Sequence, residues 1–290
     1  MKKKLVGIVI FMLLATAVVS AINVNVEEKT QTTASEADVP VWEVGDTWTY
    51  DAHIYIAASP NVIDDMVLDV RGELVLEVNE VTGETYQLTG LMKPLTGIVD
   101  IPGKLGFRLT RISSFTSNIE IQKINLSLRH HDYTMKGICL LTLGPIPVPI
   151  PIQMQTYRKT EFGPMWEILP FPLFDGKTGD YGNSTLIEEW GTSMFWGLIP
   201  ISGGTSDDGF VGGYAPYNCK ADSITVPAGT YDVYNISCYL NFGTVGQDYY
   251  FSNYAEDAGN IVSGIYNLDY ITGNTWYLLE LELKSTTYEP

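Results

Sequence analysis

The stretch "TWTYDAHIYI", residues 47–56, alternates large apolar with polar side chains: Trp48, Tyr50, Ala52, Ile54 and Ile56 fall on one side, Thr49, Asp51 and His53 on the other. A repeat of two is that of a pleated strand with one face in a core, and a helix would scatter these residues around its axis. The pattern recurs along the chain. "ELVLEVNEVTGETYQLTG" places Leu74, Leu76 and Val78 on one face, turns at Thr82-Gly83 and returns with Tyr86 and Leu88, which predicts a β-hairpin. "KINLSLR" puts Ile124, Leu126 and Leu128 inward before a turn at Asp132, and "MQTYRKTEF" reads as a further amphipathic strand.

Helical signals are confined to "NVIDDMVLDV" (61–70) and "NSTLIEEWGTSMF" (183–195), and both windows are equally compatible with strands. With 18 Tyr, 6 Trp, 10 Phe and 27 Gly, aromatic strands joined by glycine turns dominate the reading. The expected fold is all-β and mainly antiparallel, a large curved sheet or half-barrel with few short helices.

The N-terminus reads as an export signal: Lys2, Lys3 and Lys4, the apolar run "LVGIVIFMLLATAVV", then Val19-Ser20-Ala21 as a small-residue cleavage pattern. Residues 1–21 are expected to be this signal, and an uncleaved membrane anchor is the alternative. No cysteine follows Ala21 to accept a lipid. Residues 22–38 lack aromatics and periodicity and are expected to be a disordered polar leader. A single antiparallel β-domain is expected over 39–290, with a proline-rich apolar insertion around 143–203. The location implied is secreted or cell-surface, with membrane contact only through the first segment if it stays uncleaved.

The chain carries a formal charge of −17, and removing three N-terminal lysines makes it more acidic. Such a surface repels phosphate backbones and anionic headgroups, so nucleic acid is excluded as a partner. The charge leaves the oligomeric state open.

Three cysteines in an exported chain suggest one pair. If Pro227-Ala228-Gly229-Thr230 forms a four-residue hairpin loop, Cys219 falls opposite Cys238, within disulfide reach, leaving Cys139 unpaired and buried. The triplets at Asn125, Asn183 and Asn235 fit the sugar-acceptor pattern.

Catalytic signatures are missing from the sequence: there is no G-x-S-x-G, H-E-x-x-H, P-loop or C-x-x-C. His130 and His131, adjacent on a strand, point to opposite faces and cannot share an ion; a polar strand-end pair is expected. The acids of "DGKTGDYGN" and "TSDDG" lack the alternate spacing of an EF-hand loop. No catalytic residue, cofactor or metal site is assigned, and the protein is expected not to be an enzyme.

Three apolar, proline-broken stretches lie close together: "GPIPVPIPIQ", "GPMWEILPFPLFDG" and "FWGLIPISGG". Proline lacks the donor that a central strand needs, which predicts edges, rims or loops. Ile146, Val148, Ile150, Trp166, Phe171, Phe174, Phe195 and Trp196 are then candidates to line or close the mouth of an apolar cavity for a lipid or other hydrophobic small molecule. The competing reading makes the same segments a plug over the open end of the sheet, with no ligand.

"WEVGDTWTY", "ITVPAGTYDVYNISCY" and "YYFSNYAEDAGNIVSGIY" together resemble a group of exported archaeal and bacterial β-domains of uncharacterised function, in which such motifs recur in this order. The resemblance covers the two ends of the folded part and implies fold and compartment, with no catalytic residue to inherit. Curled sheets of this kind are similar, by weaker analogy, to the lipoprotein-carrier half-barrels that shelter acyl chains. The resulting expectation is an extracytoplasmic, non-enzymatic β-protein that binds a hydrophobic ligand; the alternative is a cell-surface structural or interaction module.

Overall fold

The computed structural model describes residues 36–58, 67–101, 106–142, 150–167, 169–181, 184–211, 215–241, 247–269 and 275–290. Among them run β1 (Thr47–Ala58), β2 (Val67–Val81), β3 (Thr85–Ile101), β4 (Gly106–Gln122), β5 (Leu128–Thr142), β6 (Ile150–Trp166) and β7 (Thr178–Tyr181). The second half supplies β8 (Ser184–Met194), β9 (Ile199–Val211), β10 (Ala215–Val226), β11 (Gly229–Asn241), β12 (Gln247–Ala255), β13 (Asn260–Asp269) and β14 (Thr275–Thr286). All fourteen form one antiparallel sheet in the order β7-β10-β11-β12-β13-β14-β1-β2-β3-β4-β5-β6-β8-β9, open at both edges. The helical content described is two three-residue 3-10 turns, at Phe195–Gly197 and Glu256–Ala258.

The alternation read in residues 47–56 holds where side chains are described: Trp48, Tyr50 and Ala52 are buried, and Asp51 is exposed. The predicted hairpin also forms, with Thr82 N–H donating to Thr85 O at 2.9 Å to close the β2–β3 turn. Of the window 183–195, residues 184–194 are strand β8 and Phe195 starts a 3-10 turn, and 67–70 of the other window open β2; residues 61–66 and 183 lie outside the described residues.

"KINLSLR" corrects the sequence reading. It is the β4–β5 turn, with Leu126 at φ 53°, so that Ile124 is 75% exposed while Leu126 and Leu128 are buried. The Asn125 side chain accepts from Ser127 N–H at 3.0 Å, a side-chain-closed turn that competes with strand pairing.

The β10–β11 hairpin turns on two residues, Pro227-Ala228, with Val226 opposite Gly229. The expected four-residue loop was two residues too long, and every partner shifts accordingly. Cys219 faces Ile236 and Cys238 faces Tyr217. The cysteines become diagonal neighbours, for which Cα atoms sit about 7–8 Å apart, beyond disulfide reach. Both are buried thiols and no disulfide joins them. Cys139 lies in β5, opposite Ile152.

The sheet curls. Ile261 of β13 and His131 of β5 line the same cavity, although six strand steps separate them and a flat sheet would hold them roughly 29 Å apart. Two segments fill the inside of the curl. Ala37, assigned by sequence to the leader, is fully buried and exchanges hydrogen bonds with Leu173 at 2.7 and 2.9 Å. Trp42 follows, its indole N–H donating to Gly259 O at 2.9 Å. Residues 169–174 form a strap across the interior, with Leu169 and Leu173 buried and Phe171 edge-on to Tyr254 at 5.1 Å. Pro170 and Pro172 have no N–H to join a ladder, and their carbonyls are taken up by the Lys177 ammonium.

Candidate ligand site

Strands β4, β5 and β6 each send two residues of one face into a buried patch, and β8 sends one. One row reads Ile119, His131, Thr160 and Glu188; beside it run Ser117, Tyr133 and Arg158. Ser117, His131, Arg158, Thr160 and Glu188 are all buried, an uncommon set for the inside of a sheet. Buried polar groups require partners.

Ser117 Oγ and His131 Nε2 lie 2.7 Å apart, a hydrogen bond between diagonal neighbours. Burial lowers the His131 pKa from 6.5 to about 3, and the charges of His130 and Arg158 add to the shift. An imidazole held neutral this firmly takes up no proton at neutral pH. The bond ties two buried polar side chains to each other within the core.

Arg158, 1% exposed, donates through Nη2 to Glu188 Oε1 in a buried ion pair. Its Nε and Nη1, and the Thr160 hydroxyl, meet no hydrogen-bond partner among the described residues. The guanidinium sits close enough to Tyr133 to oppose the rise in its pKa, which burial nonetheless pushes up to about 12. A buried ion pair is often no better for stability than well-packed apolar residues, and its idle donors add a desolvation cost.

Two members of the row, Ile119 and His131, line an apolar cavity of about 80 Å³ whose walls also include Trp42, Leu76, Leu88 and Leu169. Drug-sized ligands occupy pockets of roughly 300–1,000 Å³, so with the strap in place this space takes a short apolar group and no more. Leu169 is the strap residue in that wall. The strap thus decides how large the cavity is.

The residues expected to form one mouth do not assemble. Trp166 and Phe171 pack against the core, Trp166 stacking on Phe162 at 6.0 Å. Phe174 is exposed beneath the Lys177 ammonium. Phe195, also exposed, and Trp196 belong to the β8–β9 turn. Ile150 opens β6, paired with Leu141, about 50 Å along the strand from Trp166. Ile146 and Val148 lie outside the described residues. The one strip proline placed in a strand, Pro151, pairs with Leu140 of β5 ahead of Met154, where the β8 pairing begins. There β6 pairs with β5 alone among the described strands, an edge-like position open to proline.

Among the acceptor triplets, Asn125 is half-buried in its turn, and Asn235 is half-buried and donates to Asn253 Oδ1 at 2.8 Å. Asn183 lies outside the described residues. His130 sits 2.9 Å from Asp132, too poorly angled for a hydrogen bond but close enough for an ion pair. It faces away from His131, as strand geometry requires, but His131 is in the core and not on a polar surface. A second, open cleft of about 650 Å³ near the C-terminus is lined by Asp38, Glu43, Asp46, Glu256, Tyr254 and Tyr288. Burial raises the Glu256 pKa, helped by Asp257 and Asp38. No group of side chains suited to a metal ion occurs among the described residues, and no helix there is long and apolar enough to cross a membrane.

Ser117, Arg158 and Thr160 escaped the sequence reading, which placed His131 at a polar strand end and Glu188 on an exposed edge; both are buried instead. Parity was the available signal: His131 shares the face of Tyr133 and Met135, while Arg158 and Thr160 share that of Ile152 and Phe162. No family model, curated protein or solved structure matches the chain.

Proposed function

We propose that the protein is an extracytoplasmic, non-enzymatic binder of a hydrophobic ligand, held inside the curled sheet with its apolar end in the cavity beneath Trp42 and Leu169. The observation that carries this reading is an apolar cavity lined by His131, next to whose strand partner Thr160 lies Arg158 with Nε and Nη1 that meet no acceptor among the described residues. Such idle donors cost stability and are expected where a guest completes them. A longer chain requires the strap to give way; its prolines keep it out of the sheet, and the Lys177 ammonium and the Ala37–Leu173 bonds tether it. The export-type N-terminus supports the location; the buried thiols add no support of their own.

Organic extraction of protein purified from its native envelope, followed by mass spectrometry, is expected to yield stoichiometric apolar material. An empty extract, with no uptake of added octyl-chain ligands, overturns the reading. The alternative, a surface interaction module, draws on one observation: Phe195, Leu198 and Ile199 are exposed together at the β8–β9 turn. It predicts self-association or partner capture that is lost when Leu198 becomes Ser.

A further inference from the structure

We infer that the polar end of the ligand is an uncharged hydrogen-bond acceptor, a carbonyl of the ester or amide type, seated between Arg158 and Thr160. This inference rests on the proposed binding function and narrows it to a ligand class. The starting point is charge. Arg158 is already neutralised by Glu188, and His131, directly across from Thr160, stays neutral at physiological pH. The buried row therefore carries no net charge. A carboxylate brought into it would be a second anion beside Glu188 with no cation left to offset it, and burying such a charge is strongly unfavourable.

The donor inventory points the same way. An arginine offers five N–H groups, of which those on Nε and Nη1 lack acceptors among the described residues, and the Thr160 hydroxyl likewise lacks a partner among them. A head that only accepts satisfies these groups; a head that must also donate leaves donors facing donors. A carbonyl oxygen has two lone pairs and no proton, and it can receive one bond from the guanidinium and one from the hydroxyl. Position agrees too. Thr160 is one strand step from His131, which lines the cavity, so a head at Thr160 leaves its chain directed past His131 into the space under Leu169.

The test is calorimetric titration of the full-length protein at pH 7 with methyl octanoate and with octanoate, which share a chain and differ in head charge. The ester is expected to bind at least tenfold more tightly. Glu188→Gln removes the competing anion and is expected to erase or reverse that preference. Thr160→Val, isosteric and relieved of an idle buried hydroxyl, is expected to keep or raise the melting temperature while weakening the ester several-fold. If Glu188→Gln does not fold, the Thr160→Val and wild-type arms still decide. Equal binding of both ligands by the wild type, or ester binding indifferent to both substitutions, overturns the neutral-head assignment and leaves the cavity reading standing. Binding of neither ligand overturns the cavity reading itself.

Discussion

His131 illustrates how one buried side chain sets a pH limit on the whole fold. Its pKa falls from 6.5 to about 3 chiefly through burial, so between those values the unfolded chain binds a proton that the folded chain refuses. Stability from this site is full above about pH 6.5 and is lost as the pH falls toward 3. Between pH 7 and pH 5 the loss is about 2 kcal/mol. Urea unfolding of the wild type against His131→Gln, which can still bond Ser117, is expected to show that extra loss in the wild type alone; parallel pH profiles would refute it. At this scale the sequence was half legible. Trp48, Tyr50 and Ala52 announced their burial by alternation, because apolar residues on one parity admit one reading. Arg158 and Glu188 hid because charge on the inner parity reads as an outer face, and only their mutual pairing makes burial tolerable.

The decisive element is the strap at residues 169–174. Its sequence, broken by Pro170 and Pro172, said that it could not be a central strand, and the structure makes it the filling of the curl. The oily strip ahead of it is different in kind, since its described end simply joins β6. Leu169→Ala is expected to cost about 2–5 kcal/mol in urea unfolding, as for other buried leucines. The same change enlarges the cavity, so it is also expected to tighten methyl octanoate binding; weaker binding would mean that the strap leucine contacts the ligand instead of limiting it. Hairpin register was the element-level feature that composition could not supply. Thr82-Gly83 marked its turn clearly, whereas Pro227-Ala228-Gly229-Thr230 fits loops of two or four residues. That choice moved Cys238 from Cys219 to Tyr217.

The whole molecule is an open sheet that closes on its contents instead of on itself. β1 pairs with β14, so the two ends of the described chain meet in the middle of the sheet and the true edges are β7 and β9. Antiparallel character was legible from the period of two, but strand order was not, because the β6–β8 and β7–β10 neighbours depend on contacts that no local pattern encodes. The curl follows from what must be covered: Trp42, Trp48, Tyr86 and the strap lie on one face, while Lys284 bridges Asp51 and Glu73 at 3.2 and 3.0 Å on strands β14, β1 and β2. On the proposed reading, a sheet wrapped around an apolar interior with one polar row holds an amphipathic ligand. The most direct measurement of that claim is the NMR signal of the Arg158 Nε–H during titration with methyl octanoate. The account predicts a saturable downfield shift with slowed solvent exchange, as the idle donor gains an acceptor. A signal that stays fixed while resonances of Phe195 and Leu198 move would place the ligand on the surface turn and contradict it.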